Sequence, residues 1–155
     1  MMESVIGSST VTQIAFIVRD VAETKKKFAE FLGVPEPPAV GSGEYEATRT
    51  VYKGNPAPEA ACKMAFFNIG ADVSIELIEP NEVPSVWRDF LEERGEGLHH
   101  IAFNVKGMDM KIKACEGFGM ALSQRGKYGD RSGEYAYLDA TKDLKCFIEL
   151  LENYS

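Results

Sequence analysis

Hydrophobic and polar residues alternate with a period of two in many short stretches of the chain. This pattern is typical of β-strands that bury one face, and several of the stretches are rich in β-branched and aromatic residues. The predicted strands cover about 11–18, 44–53, 61–69 and 73–79 in the first half of the chain, and 98–105, 121–128, 133–139 and 145–151 in the second.

Three other segments have the spacing of helices. Val21–Leu32 carries an apolar stripe between Asp20, a good N-cap residue, and Gly33, a natural C-terminal stop. Met108–Phe118 occupies the equivalent place in the second half of the chain. Pro84–Arg94 lies between the two halves and predicts a short bridging helix.

The order of these elements reflects an internal repeat. Gln13–Asp20 aligns with His100–Gly107 through a shared Ile-Ala-Phe and a shared Val, and Ile75–Glu79 aligns with Ile148–Glu152 at four of five positions. We therefore predict one domain over residues 1–155 that contains a βαβββ unit twice. Module one covers about 10–80, the bridging helix about 84–95 and module two about 97–152. The extra length of module one is expected in the Pro/Gly-rich stretch Val34–Ala60.

Strand alternation turns four potential metal ligands away from their apolar neighbours, and the four converge if the two copies pair by a pseudo-twofold. His100 faces away from the apolar set that includes its neighbour His99, and Gln13 occupies the position matched to His100. Glu76 and Glu149 interrupt the matched last strands of the two modules. Each residue alone is more typical of a solvent-facing or core position, but their recurrence at matched positions favours a metal site. One imidazole, one amide and two carboxylates suit Zn, Ni, Co, Mn or Fe(II).

Composition narrows the class of protein. The net charge of −7 argues against nucleic acid as a partner. No apolar run is long enough to span a membrane and residues 1–10 do not resemble a secretory signal, so we expect a cytoplasmic protein with no membrane partner. Cys62, Cys115 and Cys146 are odd in number and far apart, which predicts free, buried thiols.

These residues together resemble the vicinal oxygen chelate superfamily, which includes glyoxalase I, methylmalonyl-CoA epimerase, ring-cleaving dioxygenases and bleomycin-resistance proteins. The segment Trp87–Val105, with its Gly-x-Gly-x-His-His-Ile motif, looks most like methylmalonyl-CoA epimerases. The resemblance implies an α+β fold in which two βαβββ modules form a cup-shaped, partly open mixed sheet with helices on the outer face, around one divalent metal ion.

Carried over position by position, the metal places of this superfamily fall on Gln13, Glu76, His100 and Glu149. Epimerases usually have His where this chain has Gln13, and a Gln/Glu/His/Glu set is similar to that of some glyoxalase I enzymes. The resemblance implies a metal-dependent isomerase or lyase that removes a proton next to a carbonyl. Glu149 is predicted to be the catalytic base, with Glu76 as its counterpart across the site.

An epimerase is the first expectation, and a glyoxalase I-like lactoylglutathione lyase or a non-catalytic, bleomycin-resistance-like binding protein is the alternative. The expected substrate is an acyl-CoA or a thiol adduct, and two chains are expected to form a homodimer. Arg125, Lys127 and Arg131 flank glycines of a predicted loop near the mouth of the cup, where they are candidates for holding an anionic substrate.

Overall fold

Four helices and one ten-stranded mixed sheet make up residues 2–155, the part of the chain that the computed structural model describes. Module one contains β1 (Gln13–Ile17), α1 (Val21–Leu32), β2 (Val40–Gly41), α2 (Tyr45–Thr48), β3 (Val51–Tyr52), β4 (Asn55–Pro56), β5 (Cys62–Asn68) and β6 (Ser74–Pro80). The bridging helix is α3 (Val86–Arg94). Module two contains β7 (Gly97–Asn104), α4 (Met108–Gly117), β8 (Ala121–Lys127), β9 (Gly133–Asp139) and β10 (Phe147–Asn153).

The two modules join through their first strands. The strand order is β2-β5-β6-β1-β7-β10-β9-β8-β3-β4, with β1 and β7 antiparallel at the centre. Each of these first strands also pairs in parallel with the last strand of its own module, β1 with β6 and β7 with β10. The sheet curls into a half-barrel, which confirms the predicted α+β fold of paired βαβββ modules.

Helices α1 and α4 cover the outer face of the sheet. The side chain of Asp20 accepts a hydrogen bond from the backbone N–H of Glu23, and Gly33 ends α1 in the left-handed conformation at φ 68°. Val21 on α1 packs with Leu77, while Ile112 on α4 belongs to the corresponding apolar cluster of module two. Because these apolar residues occupy the convex side, the polar members of the alternating strands lie on the concave side.

The strand predicted at 44–53 is wrong. Residues Tyr45–Thr48 form a helical turn that ends at Arg49 in a left-handed conformation (φ 49°), and only Val51–Tyr52 are extended. The chain then reverses at Lys53 and Gly54, both at positive φ. A short alternation of apolar and polar residues does not distinguish a strand from a single helical turn, and here the chain reversal limits the strand to two residues.

The insertion in module one extends the sheet of module two. Strand β2 pairs with β5 in module one, whereas the β3–β4 hairpin pairs with β8 at the far edge. The extra length predicted within Val34–Ala60 is therefore present, and it joins the two modules a second time. The other predicted strands and helices agree with the structure to within two residues at each end.

Two expectations from composition can be compared with the structure. Cys62, Cys115 and Cys146 are free and buried, as predicted. Within residues 2–155, none of the helices has the length and apolar character required to span a membrane.

Candidate metal centre and its cavity

Three of the four predicted ligand residues converge on the concave face. The ligand atoms of Glu76, His100 and Glu149 all lie within 4.8 Å of one another, and all three residues are buried. Nε2 of His100 is 3.4 Å from Oε1 of Glu76 and 3.1 Å from Oε1 of Glu149. Neither contact has hydrogen-bond alignment, since Nε2 of His100 and Oε1 of Glu76 are both buried without a hydrogen-bond partner. Donor atoms of three residues are thus aimed at one shared space.

Two alanines in the sheet create this space. Ala15 lies opposite both Glu76 and His100, and Ala102 lies opposite both Gln13 and Glu149. Each alanine therefore separates two longer polar side chains on the strands at either side of it. Ala15 and Ala102 occupy matched positions of the repeat, two residues after Gln13 and His100. Alanine thus makes room for the Glu76/His100 pair at one position and for the Gln13/Glu149 pair at the other.

Gln13 lies on the lining of the same cavity as Glu76 and Glu149. Its side-chain Oε1 is buried and has no hydrogen-bond partner. An unsatisfied buried polar atom costs about 1–3 kcal/mol, so three such atoms in one site indicate a missing positive or donor group. One imidazole nitrogen together with amide and carboxylate oxygens is a donor set that a divalent ion accepts. The residues present therefore fit a metal ion.

The electrostatics of the site also favour a positive charge between the two glutamates. Burial raises the pKa of Glu76, and the nearby charge of Glu149 raises it further, although His100 acts in the opposite direction. Burial alone would lower the pKa of His100, but Glu149 and Glu76 outweigh it and raise the pKa to about 9. At neutral pH and without an ion, a proton on His100 supplies the positive charge that the carboxylates require.

The site opens into a cavity of about 800 Å³ between the two modules. Gln13, Glu76 and Glu149 line this cavity at the candidate metal centre. The walls are largely apolar and aromatic, and their larger side chains are Met64, Phe66, Trp87, Tyr128, Tyr135, Tyr137 and Leu151.

Several wall residues were not predicted as part of the site. Trp87 lines the cavity and donates a hydrogen bond from Nε1 to the hydroxyl of Tyr137 at 3.1 Å. Met64 and Phe66 lie on alternate positions of β5 and line the cavity from module one. Strand alternation is a signal that can place such residues on one face, but it does not show which face becomes the cavity wall.

The three basic residues expected at the mouth differ in their surroundings. Arg125 forms ion pairs with Asp109 at 2.7 Å and with Glu134 at 2.8 Å, so its charge is already matched. Arg131 is exposed and is not part of the cavity lining, whereas Lys127 is. Of the three candidates, Lys127 is the one that lines the cavity.

One side of the cavity is closed by contact between the insertion of module one and a loop of module two. A Cβ atom added to Gly43 would lie 2.6 Å from the Cα of Gly129, and Gly43 has φ 101°. A side chain at Gly43 is excluded both by this backbone approach and by the positive φ. The two glycines thus allow the modules to meet backbone to backbone beside the cavity.

The paired modules, together with a buried His/Glu group that could hold a metal ion, are features by which the chain can be compared with known families. Residues 12–137 match the model of the Glyoxalase/Bleomycin resistance protein/Dioxygenase superfamily. The chain belongs to this superfamily, which confirms the resemblance inferred from its sequence.

Similar proteins include one curated relative and several solved structures. The chain is 33% identical to the uncharacterized protein YqjC of Bacillus subtilis (strain 168) over 95 residues, which are 61% of this chain and 67% of the relative. Methylmalonyl-CoA epimerase from Mycobacterium tuberculosis has a similar fold, with a TM-score of 0.67, 18% identity and coverage of 100% of this chain and 93% of that one. A Streptomyces coelicolor methylmalonyl-CoA epimerase in complex with 2-nitronate-propionyl-CoA matches with a TM-score of 0.63, 19% identity and coverage of 94% and 95%.

Proposed function

We propose that this protein is a metal-dependent isomerase that moves a proton next to a carbonyl group, with chemistry like that of methylmalonyl-CoA epimerase. The observation that carries this proposal is the convergence of Glu76, His100 and Glu149 within 4.8 Å, with both glutamates on the lining of a large cavity. The similarity of the fold to methylmalonyl-CoA epimerases supports the choice of reaction.

His100 Nε2, Gln13 Oε1 and the carboxylates of Glu76 and Glu149 are the groups that would hold the metal ion. When bound, a divalent ion supplies Lewis-acid stabilisation of the negative charge that develops on a carbonyl oxygen as the neighbouring C–H loses its proton. The fit rests on the unpartnered atoms of Gln13, Glu76 and His100.

Glu149 is the proposed base. Its carboxylate takes the proton from the carbon next to the carbonyl, and the electrons of the broken C–H bond move toward the carbonyl oxygen. Glu76, which comes from the other module, is the proposed counterpart of Glu149. A carboxyl group on the opposite side of the planar carbon can return a proton to the second face of that carbon. In this role, the carboxyl group of Glu76 carries the proton that it returns to the carbon.

The walls of the cavity suit a substrate with an apolar part near the reacting carbon. Met64, Phe66 and Tyr128 line the cavity, and their apolar surfaces suit the apolar part of such a substrate. An acyl-CoA or a glutathione thiol adduct is the proposed substrate class, and Lys127 is the cavity-lining cation placed to meet an anionic group. The homodimer remains a prediction, which light scattering of the purified protein tests.

A glyoxalase I-like reaction is the second candidate. The observation that favours it is the amide of Gln13 at the first metal place, where epimerases usually have His. Both candidates require the same proton removal beside a carbonyl, and they differ in the substrate.

Deuterium wash-in tests the proposal directly. The metal-loaded protein is incubated in D₂O with methylmalonyl-CoA, and separately with the hemithioacetal of methylglyoxal and glutathione. Deuterium uptake at the α-carbon of the CoA ester is the expected result, whereas formation of the lactoyl thioester alone selects the glyoxalase reaction. A protein that turns over neither substrate but binds an aromatic or drug-like ligand contradicts both enzymes and favours a binding protein.

A further inference from the structure

A hydrogen-bonded chain connects the bridging helix with the candidate metal ligand. The backbone carbonyl oxygen of Val86, in the first turn of α3, is 3.2 Å from Nε2 of His99. Nδ1 of His99 is in turn 2.8 Å from Nδ1 of His100. Both imidazoles are fully buried, so the protein itself must satisfy their ring nitrogens.

The chain determines which nitrogen carries each proton. A carbonyl oxygen only accepts, so Nε2 of His99 must donate to Val86. A neutral imidazole has one N–H, and Nδ1 of His99 is therefore an acceptor. The proton between the two Nδ1 atoms then belongs to His100. This leaves Nε2 of His100, the atom that faces Glu76 and Glu149, with a free lone pair when the ring is neutral.

Aromatic rings surround His99 and fix the orientation of its ring. Its ring stacks on Phe147 at 5.0 Å between centroids, and Phe90 and Tyr137 contact it edge-on at 4.9 Å and 5.5 Å. These aromatic rings leave little room for solvation of a second ring proton. They also hold the plane of His99 so that its two nitrogens point in fixed directions.

Both backbone polar groups of Val86 form hydrogen bonds. Its backbone N–H donates to Oε1 of Gln124 at 3.0 Å, and Nε2 of Gln124 donates to the hydroxyl of Tyr135 at 3.0 Å. Gln124 is almost completely buried. The carbonyl that orients His99 is thus part of a rigid network between α3 and the cavity wall, rather than a mobile loop group.

We propose that His99 is a positioning residue that fixes the tautomer and orientation of His100 by relaying the carbonyl of Val86. The relay keeps Nδ1–H of His100 engaged and directs Nε2 toward the metal place. The partners of metal-ligating histidines generally contribute about 10- to 100-fold to metal affinity. In this proposal His100 is the metal ligand, and His99 orients it for that role.

Nuclear magnetic resonance tests the relay without metal or turnover. The chain has 2 histidines, so ¹⁵N-histidine labelling gives two ring systems, which a His99→Leu variant assigns. In the metal-free protein, at a pH where each ring carries a single proton, we expect His99 protonated at Nε2 and His100 protonated at Nδ1. A ¹⁵N–¹⁵N coupling across the hydrogen bond between the two Nδ1 atoms is also expected. His100 protonated at Nε2 under these conditions overturns the proposal.

Metal affinity provides the second readout, and it rests on the metal site of the proposed function. Chelator competition with Zn²⁺ compares wild type, His99→Leu and His99→Asn, because Asn keeps an acceptor near the position of Nδ1 whereas Leu keeps only bulk. We expect about a 10- to 100-fold loss for His99→Leu and a substantial recovery for His99→Asn. Equal affinities of wild type and a folded His99→Leu contradict the relay. If wild type binds no metal, the proposed function fails, and the resonance experiment still decides the relay.

Discussion

The two modules use matched glutamates in the same way. In each last strand, the first glutamate faces the cavity, Glu76 in module one and Glu149 in module two. The second reaches the start of the helix of its own module: Glu79 accepts from the backbone N–H of Val21 at 2.9 Å, and Glu152 accepts from that of Met108 at 2.9 Å. A duplicated strand therefore carries one residue for the site and one for the fold.

The modules differ in what lies behind the first metal place. In module two, His99 precedes His100 in the sequence, contacts it through Nδ1 and lies next to α3. In module one, Thr12 precedes Gln13, and the hydroxyl of Thr12 donates to the carbonyl of Ala102 at 3.2 Å. The amide of Gln13 has a buried oxygen without a partner and no relay of this kind. The repeat thus sets symmetric positions, and the single bridging helix makes their chemistry unequal.

The largest expected effect of this inequality is on metal content. We predict that His100→Ala abolishes stoichiometric metal binding, while Gln13→Ala weakens it and leaves some metal bound, because an amide oxygen is the weaker ligand of the matched pair. Elemental analysis of the two purified variants beside wild type measures this. Wild-type metal content in His100→Ala would show that the metal centre lies elsewhere.

The next effect is on turnover and concerns the two cavity-facing glutamates. Glu149→Gln keeps the size and one oxygen ligand but removes the proposed base, so proton exchange should fall by about 10²-fold or more while metal is largely retained. Glu76→Gln is the matched variant in module one. Initial rates of deuterium wash-in, normalised to bound metal, compare them. A larger loss in Glu76→Gln would assign the base to module one.

The two modules and the choice of His100 as the candidate ligand can be predicted from the sequence. The shared Ile-Ala-Phe segment predicts two modules, and strand alternation selects His100 over His99 because successive side chains face opposite sides. Tertiary contacts explain what could not be predicted. The β3–β4 hairpin pairs with β8 of the other module, and Arg125 is matched by Asp109 from α4, so neither contact follows from local pattern. The role of His99 likewise depends on a carbonyl of α3.

A third prediction concerns the stability of the metal-free protein. The pKa of His100 is raised from 6.5 to about 9 by its two carboxylate neighbours, so the folded state binds this proton more tightly than the unfolded state. The resulting stabilisation is fully present below pH 6.5 and is lost as the pH rises through 9. It corresponds to a loss of roughly 3 kcal/mol in the free energy of unfolding.

Urea unfolding of the metal-free protein between pH 6.5 and 9.5 measures this loss. His100→Gln is the control, since it cannot titrate and should show a much flatter profile. Stability that is constant or rises over this interval in wild type contradicts the assigned direction of the shift. A metal ion that replaces the proton should remove much of the decline.

The smallest predicted effect is a difference in stability between variants at the N-termini of α1 and α4. In module one, the side chain of Asp20 also caps α1, so Glu79→Ala should cost only about 0.5 kcal/mol of unfolding free energy. In module two, the N-cap of α4 is Gly107, which has no side-chain cap, and Glu152 accepts from the backbone N–H groups of Gly107 and Met108. Glu152→Ala should therefore lower the urea midpoint more than Glu79→Ala. Removing Asp20 together with Glu79 should bring module one to the same sensitivity, whereas equal midpoints for the two single variants would show that the carboxylates contribute alike despite their different caps.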